Sequence, residues 1–146
     1  MKKILLLLLL TFSTLSFGQL NKVEVSKPLQ TTKVGPMGTF WCGADIYDEY
    51  VSISFQDMNY TQLTVIERFE LTISDFKSLG ELLTSNKNKE EDFYTLKTKD
   101  NKTLYILFGK SMGVVYPLIS LDDSNIKKSK FPNLTKSQFK KLFNIK

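Results

Sequence analysis

The cleanest alternation in the chain runs from Tyr50 to Gln56, where Val51, Ile53 and Phe55 point one way and Ser52, Ser54 and Gln56 the other. A period of two predicts a half-buried antiparallel strand. Thr61–Leu71 alternates again through Leu63, Val65, Phe69 and Leu71, but Glu67 interrupts that face and Ile66 the other. A bulge or an exposed strand end is expected there. The period then changes to 3.6. Phe76, Leu79, Leu82 and Leu83 recur at helical spacing and predict a helix over Ile73–Thr84. Phe93–Thr98 and Thr103–Phe108 read as two strands of a hairpin turned at Lys99–Lys102. Leu104–Phe108 is apolar on both faces, which predicts a central strand. After a turn at Met112-Gly113, Val114–Leu121 reads as a strand that Pro117 confines to an edge or a bulge, because proline cannot donate to a ladder. Asp122–Asn133 is polar and reads as a loop, and Lys136–Phe143 as a short last helix.

Both helix starts use the same chemistry. Leu71-Thr72-Ile-Ser74-Asp75-Phe76-Lys77-Ser-Leu79 and Leu134-Thr135-Lys-Ser137-Gln138-Phe139-Lys140-Lys-Leu142 agree at six of nine positions. Thr72 and Thr135 are placed to cap a free backbone N–H. Asp75 and Gln138, three residues on, can return the bond, and each leucine can clamp the phenylalanine that follows. The spacing of 63 residues from Thr72 to Thr135 would suit an imperfect tandem repeat of a strand–strand–strand–helix unit. Asp122–Asn133 offers no strand to match Thr61–Leu71, so shared capping chemistry is the favoured account. The fold class expected is α+β: a single antiparallel sheet of about five to six strands carrying two helices.

The N-terminus is of another kind. Met1-Lys2-Lys3 precedes an aliphatic run from Ile4 to Leu10, and Ser16 and Gly18 are small residues placed for a cut before Gln19. This is the pattern of a cleaved secretory signal peptide over residues 1–18, and the protein is expected to be exported, periplasmic or extracellular. The apolar run is short of the ~20 residues of a membrane span, so no transmembrane segment is expected in the mature chain. Residues 19–38, with Lys27-Pro28 and Gly35-Pro36 and few large apolar side chains, read as an extended arm with a short strand at Val23–Val25. Residues 39–146 then form one globular domain.

Composition narrows the chemistry. The chain has no histidine, which removes the usual general base and the commonest metal ligand. One cysteine, Cys42, makes neither an internal disulfide nor a zinc site, and its apolar run predicts burial. Gly109-Lys110-Ser111 lacks the first glycine and the following helix of a phosphate loop. No cofactor is expected. Charge is polarised: Gln19–Asp92 carries 7 basic and 12 acidic residues, Phe93–Lys146 11 basic and 3 acidic.

Two groups of residues are candidate sites. Lys127, Lys128 and Lys130, with Lys136 and Lys140 on the last helix, would bind an anionic partner, an acidic protein or an anionic envelope component. Nucleic acid is not expected, since no nucleic-acid-binding pattern accompanies the lysines. Asp45, Asp48 and Glu49, clustered between two strands, would serve a metal or a carboxylate-based hydrolase. The function expected is that of a small exported non-enzymatic protein that binds another macromolecule, for example a periplasmic inhibitor or immunity-type protein. A carboxylate-based or metal-dependent enzyme, and an envelope or adhesion accessory protein, are the alternatives.

Overall fold

The computed structural model describes residues 26–37, 39–60, 62–123 and 128–145. Residues 1–18, read above as a signal peptide, Val23–Val25 and Lys127 lie outside the described residues. The chain builds two antiparallel sheets of four strands each, not a single sheet of five to six. The first holds β1 (Gln30–Val34), β2 (Cys42–Ile46), β3 (Tyr50–Gln56) and β4 (Ile66–Thr72), in that order. Helix α1 (Ile73–Thr84) follows at once. The second sheet holds β5 (Phe93–Lys97), β6 (Thr103–Ser111), β7 (Val114–Asp122) and β8 (Ser129–Lys130), and α2 (Lys136–Leu142) closes the chain. Both halves therefore run four strands in meander order and then a helix. Two strands stand where none was expected. β1 occupies the stretch read as an arm, and β8 the stretch read as a polar loop.

Each alternating strand turns its apolar set inward, and one continuous core results. Val51, Ile53 and Phe55 from β3, Phe69 and Leu71 from β4, and Leu104, Ile106 and Phe108 from β6 join Phe76, Leu79 and Leu83 of α1 and Phe139 and Leu142 of α2. Cys42 is fully buried in β2. Ile66 is exposed and opens β4, which accounts for the broken pattern at Ile66-Glu67. β7 pairs with β6 along its whole length but with β8 only at Ser120 and Leu121, so Pro117 faces no ladder partner on the β8 side. The β6–β7 turn takes left-handed backbone at both Met112 (φ 50°) and Gly113 (φ 81°). That pair of angles matches the right-handed twist of a two-residue hairpin, and glycine supplies the second without strain.

The helix starts form as the residues dictate. Thr72 Oγ1 accepts from the Asp75 N–H at 3.1 Å, and Thr135 Oγ1 from the Gln138 N–H at 3.3 Å. Gln138 Oε1 in turn accepts from the Thr135 N–H at 2.8 Å, completing a reciprocal box. Asp75 instead takes the Thr72 hydroxyl proton, at 2.7 Å.

A polar latch joins the sheets. The turn Thr98–Lys102 lies along the outer side of β4: Lys99 N–H donates to the Glu70 carbonyl at 2.8 Å, and Asp100 Oδ1 accepts from the Glu70 N–H at 3.1 Å. Lys102 Nζ donates to the Arg68 carbonyl at 2.6 Å and stands 3.4 Å from Asp100. Burial pushes the Asp100 pKa up, but the Glu70 N–H, the Thr98 hydroxyl and the Lys102 charge outweigh it and hold the carboxyl below its ordinary value. No helix among the described residues is long and apolar enough to cross a membrane.

Candidate functional site

Alternation along β6 sends Leu104, Ile106 and Phe108 into the core and Tyr105 and Leu107 to the opposite face of the sheet. Register then decides what accompanies them. Phe93 lies opposite Leu107, Leu107 opposite Leu118, Tyr105 opposite Ser120, and Ser120 opposite Lys130. A row of large apolar side chains thus crosses the outer face of the second sheet. Phe93 is 58% exposed and Leu107 42% exposed. The Phe93 and Tyr105 rings stack with centroids 6.1 Å apart. Lys128 Nζ stands 4.4 Å from the centre of the Tyr105 ring, a cation–π contact. Phe93, Tyr105, Leu107, Leu118, Lys128 and Lys130 line a shallow cleft of about 530 Å³.

The lysine segment is held from beneath by a residue whose role the sequence does not announce. Asp57, buried at the end of β3, accepts through Oδ1 from the Lys130 N–H at 2.8 Å and the Asn59 N–H at 3.0 Å. Met58 N–H donates to the Lys130 carbonyl at 2.9 Å, and Asn59 Nδ2 to the Lys128 carbonyl at 2.9 Å. Asp57-Met58-Asn59 reads as an ordinary turn. In the fold it serves as a clamp that makes a strand of Ser129-Lys130 and sets Lys128 over Tyr105. An aspartate followed by asparagine two residues on, at the end of a buried strand, is the signal that was available.

The remaining predicted site residues are dispersed. Lys136 and Lys140 are exposed on α2, where Lys136 donates to the Asn86 side chain and lines a different cleft with Val114 and Tyr116. Asp45 lies within β2 and accepts from the Thr31 hydroxyl at 2.7 Å, so it serves the β1–β2 pairing. Asp48 and Glu49 are exposed at the tip of the next turn, which is closed by the Tyr47 N–H to Tyr50 carbonyl bond of 2.9 Å and by the stacked Tyr47 and Tyr50 rings. Among the described residues, no three His, Cys, Asp or Glu side chains come together as a metal site.

What Phe93, Tyr105, Leu107, Leu118 and the two lysines offer is apolar burial, ring stacking and pairing with an anion. The face thus has an aromatic centre with lysines at its margin. No protein-family model matches the chain, and neither a curated protein nor a solved structure is significantly similar to it.

Proposed function

We propose that the protein is exported and acts without catalysis, by binding another macromolecule, an acidic protein or an anionic envelope component, in the manner of an inhibitor or immunity-type protein. The observation that supports it is the outer face of the second sheet. A monomeric surface seldom leaves a contiguous apolar row uncovered, and one rimmed by polar groups marks a contact site. Phe93 and Leu107 supply the apolar area, Tyr105 a rigid ring, and Lys128 and Lys130 the charge.

The test uses the mature chain as bait in its own cell envelope, followed by association kinetics with the protein or polymer captured. Leu107→Ser removes the centre of the face and weakens binding. Lys127→Glu/Lys128→Glu/Lys130→Glu slows association with the partner while leaving the melting temperature nearly unchanged, because rim charges act mainly on encounter. Asp45→Asn/Asp48→Asn/Glu49→Gln leaves activity intact. If the carboxylate changes abolish biological activity in a folded protein and the lysine changes do nothing, the carboxylate enzyme replaces the binder. Intact-mass analysis of exported protein is expected to show Gln19 as the first residue; retention of Met1 refutes the export signal.

A further inference from the structure

We infer that β5 is the pairing edge of a two-fold dimer, in which β5 of one copy adds antiparallel to β5 of the second. The hydrogen-bond pattern shows which backbone groups are free. At one end of β5 the Phe108 N–H bonds to the Asp92 carbonyl at 2.9 Å; at the other the Thr98 N–H bonds to the Lys102 carbonyl at 2.9 Å. Both bonds fall on even-numbered residues, so alternation gives Tyr94 and Leu96 to the β6 ladder. The N–H and C=O groups of Phe93, Thr95 and Lys97 point the other way. β5 ends its sheet, and among the described residues no other segment bonds to these groups. All three residues are exposed.

The other outer strands are managed. The Thr98–Lys102 turn lies along β4. β8 is two residues long, and β1 has α2 against it and carries no exposed large apolar side chain. Among the described strands, β5 alone combines a ladder side with no bonded partner and exposed aromatics, Phe93 and Tyr94. An open edge of that composition is a template for another strand.

A second copy fits it by register. A two-fold axis through Thr95 sets Thr95 opposite Thr95, Phe93 opposite Lys97, and Tyr94 opposite Leu96. The first is a favourable cross-strand pair, the second lays a lysine stem along a ring with its charge at the rim, and the third joins two apolar groups. No like charges face each other within the strand. About six backbone bonds form between the copies, following the antiparallel pattern. The contact is isologous, so it closes at two. It also joins the two apolar faces into one surface. The pairing does not depend on what that surface binds.

Light scattering on a sizing column with the mature chain tests it. The wild type is expected at the mass of two chains, falling to one on dilution. Thr95→Pro deletes an outward N–H without touching the β6 ladder and gives a monomer that melts where the wild type does once diluted to a monomer. Should that variant fail to fold, position 95 still reports. Thr95→Lys and Thr95→Glu are each monomeric, because the position faces itself, and an equimolar mixture of the two restores the dimer. Leu107→Ser, one strand inward, leaves the dimer intact. A wild type that stays monomeric at every attainable concentration overturns the inference. So does a dimer that persists in Thr95→Lys, a mixture that does not associate, or loss of the dimer in Leu107→Ser.

Discussion

Gly80→Ala sets two effects against each other inside α1. Glycine in a helix interior is ~1 kcal/mol less favourable than alanine, so on propensity alone the change stabilises. Gly80, however, is buried where the end of α2 crosses α1. A Cβ there would lie 2.8 Å from both Cβ and Cγ of Phe143 and 3.0 Å from Ile145 Cδ1. Carbon atoms settle at ~3.5–4.0 Å, so the overlap is close to an ångström. Phe143 cannot yield easily. Its Cβ is fixed to the backbone of the α2 C-cap, and its ring lies 4.8 Å from that of Phe76. Overpacking of this kind costs ~1–3 kcal/mol, so the clash exceeds the propensity gain. The expected net loss is about 1 kcal/mol, read as a lower urea midpoint at unchanged slope and a melting temperature lower by ~3–6 °C. A variant more stable than wild type would show that the helices do not meet at Gly80.

Thr72→Ala and Thr135→Ala are each expected to cost about 0.5–2 kcal/mol in urea melts, the former more because it starts the longer helix. Asp57→Ala removes the acceptor of two backbone N–H groups and should cost about 2 kcal/mol, with faster hydrogen exchange at the Lys130 amide; Asp57→Asn, which keeps an acceptor oxygen, should cost less. Burial pushes the Cys42 thiol from 9.0 up to about 12, so a thiol reagent should find it silent in the native state and reactive in urea. Because that pKa is raised on folding, the stability it contributes is present below the unfolded value and declines as pH climbs through the range between the two; Cys42→Ala should flatten this alkaline limb. Asp100 has the opposite sign: its lowered pKa contributes stability above the unfolded value of ~3.9 that is lost as pH falls through the folded one, and Asp100→Asn should shallow the acid limb of a stability–pH curve.

Both helices were legible to within a residue because their signals are local. The 3.6 period, the capping threonines and the return bond of Gln138 all lie within one turn. β3, with its strict alternation, was equally plain. The split into two sheets was not: every ladder joins strands adjacent in sequence, and nothing in the alternation of β4 or β5 says that these two do not pair across α1. β1 escapes notice because Gln30-Thr-Thr-Lys-Val34 buries only Val34. β8 carries no apolar pattern at all and exists because Asp57, some seventy residues earlier, accepts from the Lys130 N–H. The basic end of the candidate site was visible as Lys128 and Lys130. Its apolar centre was hidden by a sound rule: a strand apolar on both faces reads as covered on both, and β6 is indeed central, yet Tyr105 and Leu107 are left on an open face.

Among the described elements, the last packs on the first strand. α2, at 136–142, lies against β1, at 30–34, and its end also fills the groove beside Gly80. Contacts separated by about a hundred residues make loop closure the slow part of folding. A ribosome adds ~5–20 residues each second, so for about one to two seconds the emerging chain holds every described strand and still lacks the piece that seals them. No truncation ending before Lys136 is expected to stand alone, and a carboxy-terminal nick of a few residues should be as damaging as the loss of a strand. The sheets are expected to close into one core only once residues 136–142 have emerged.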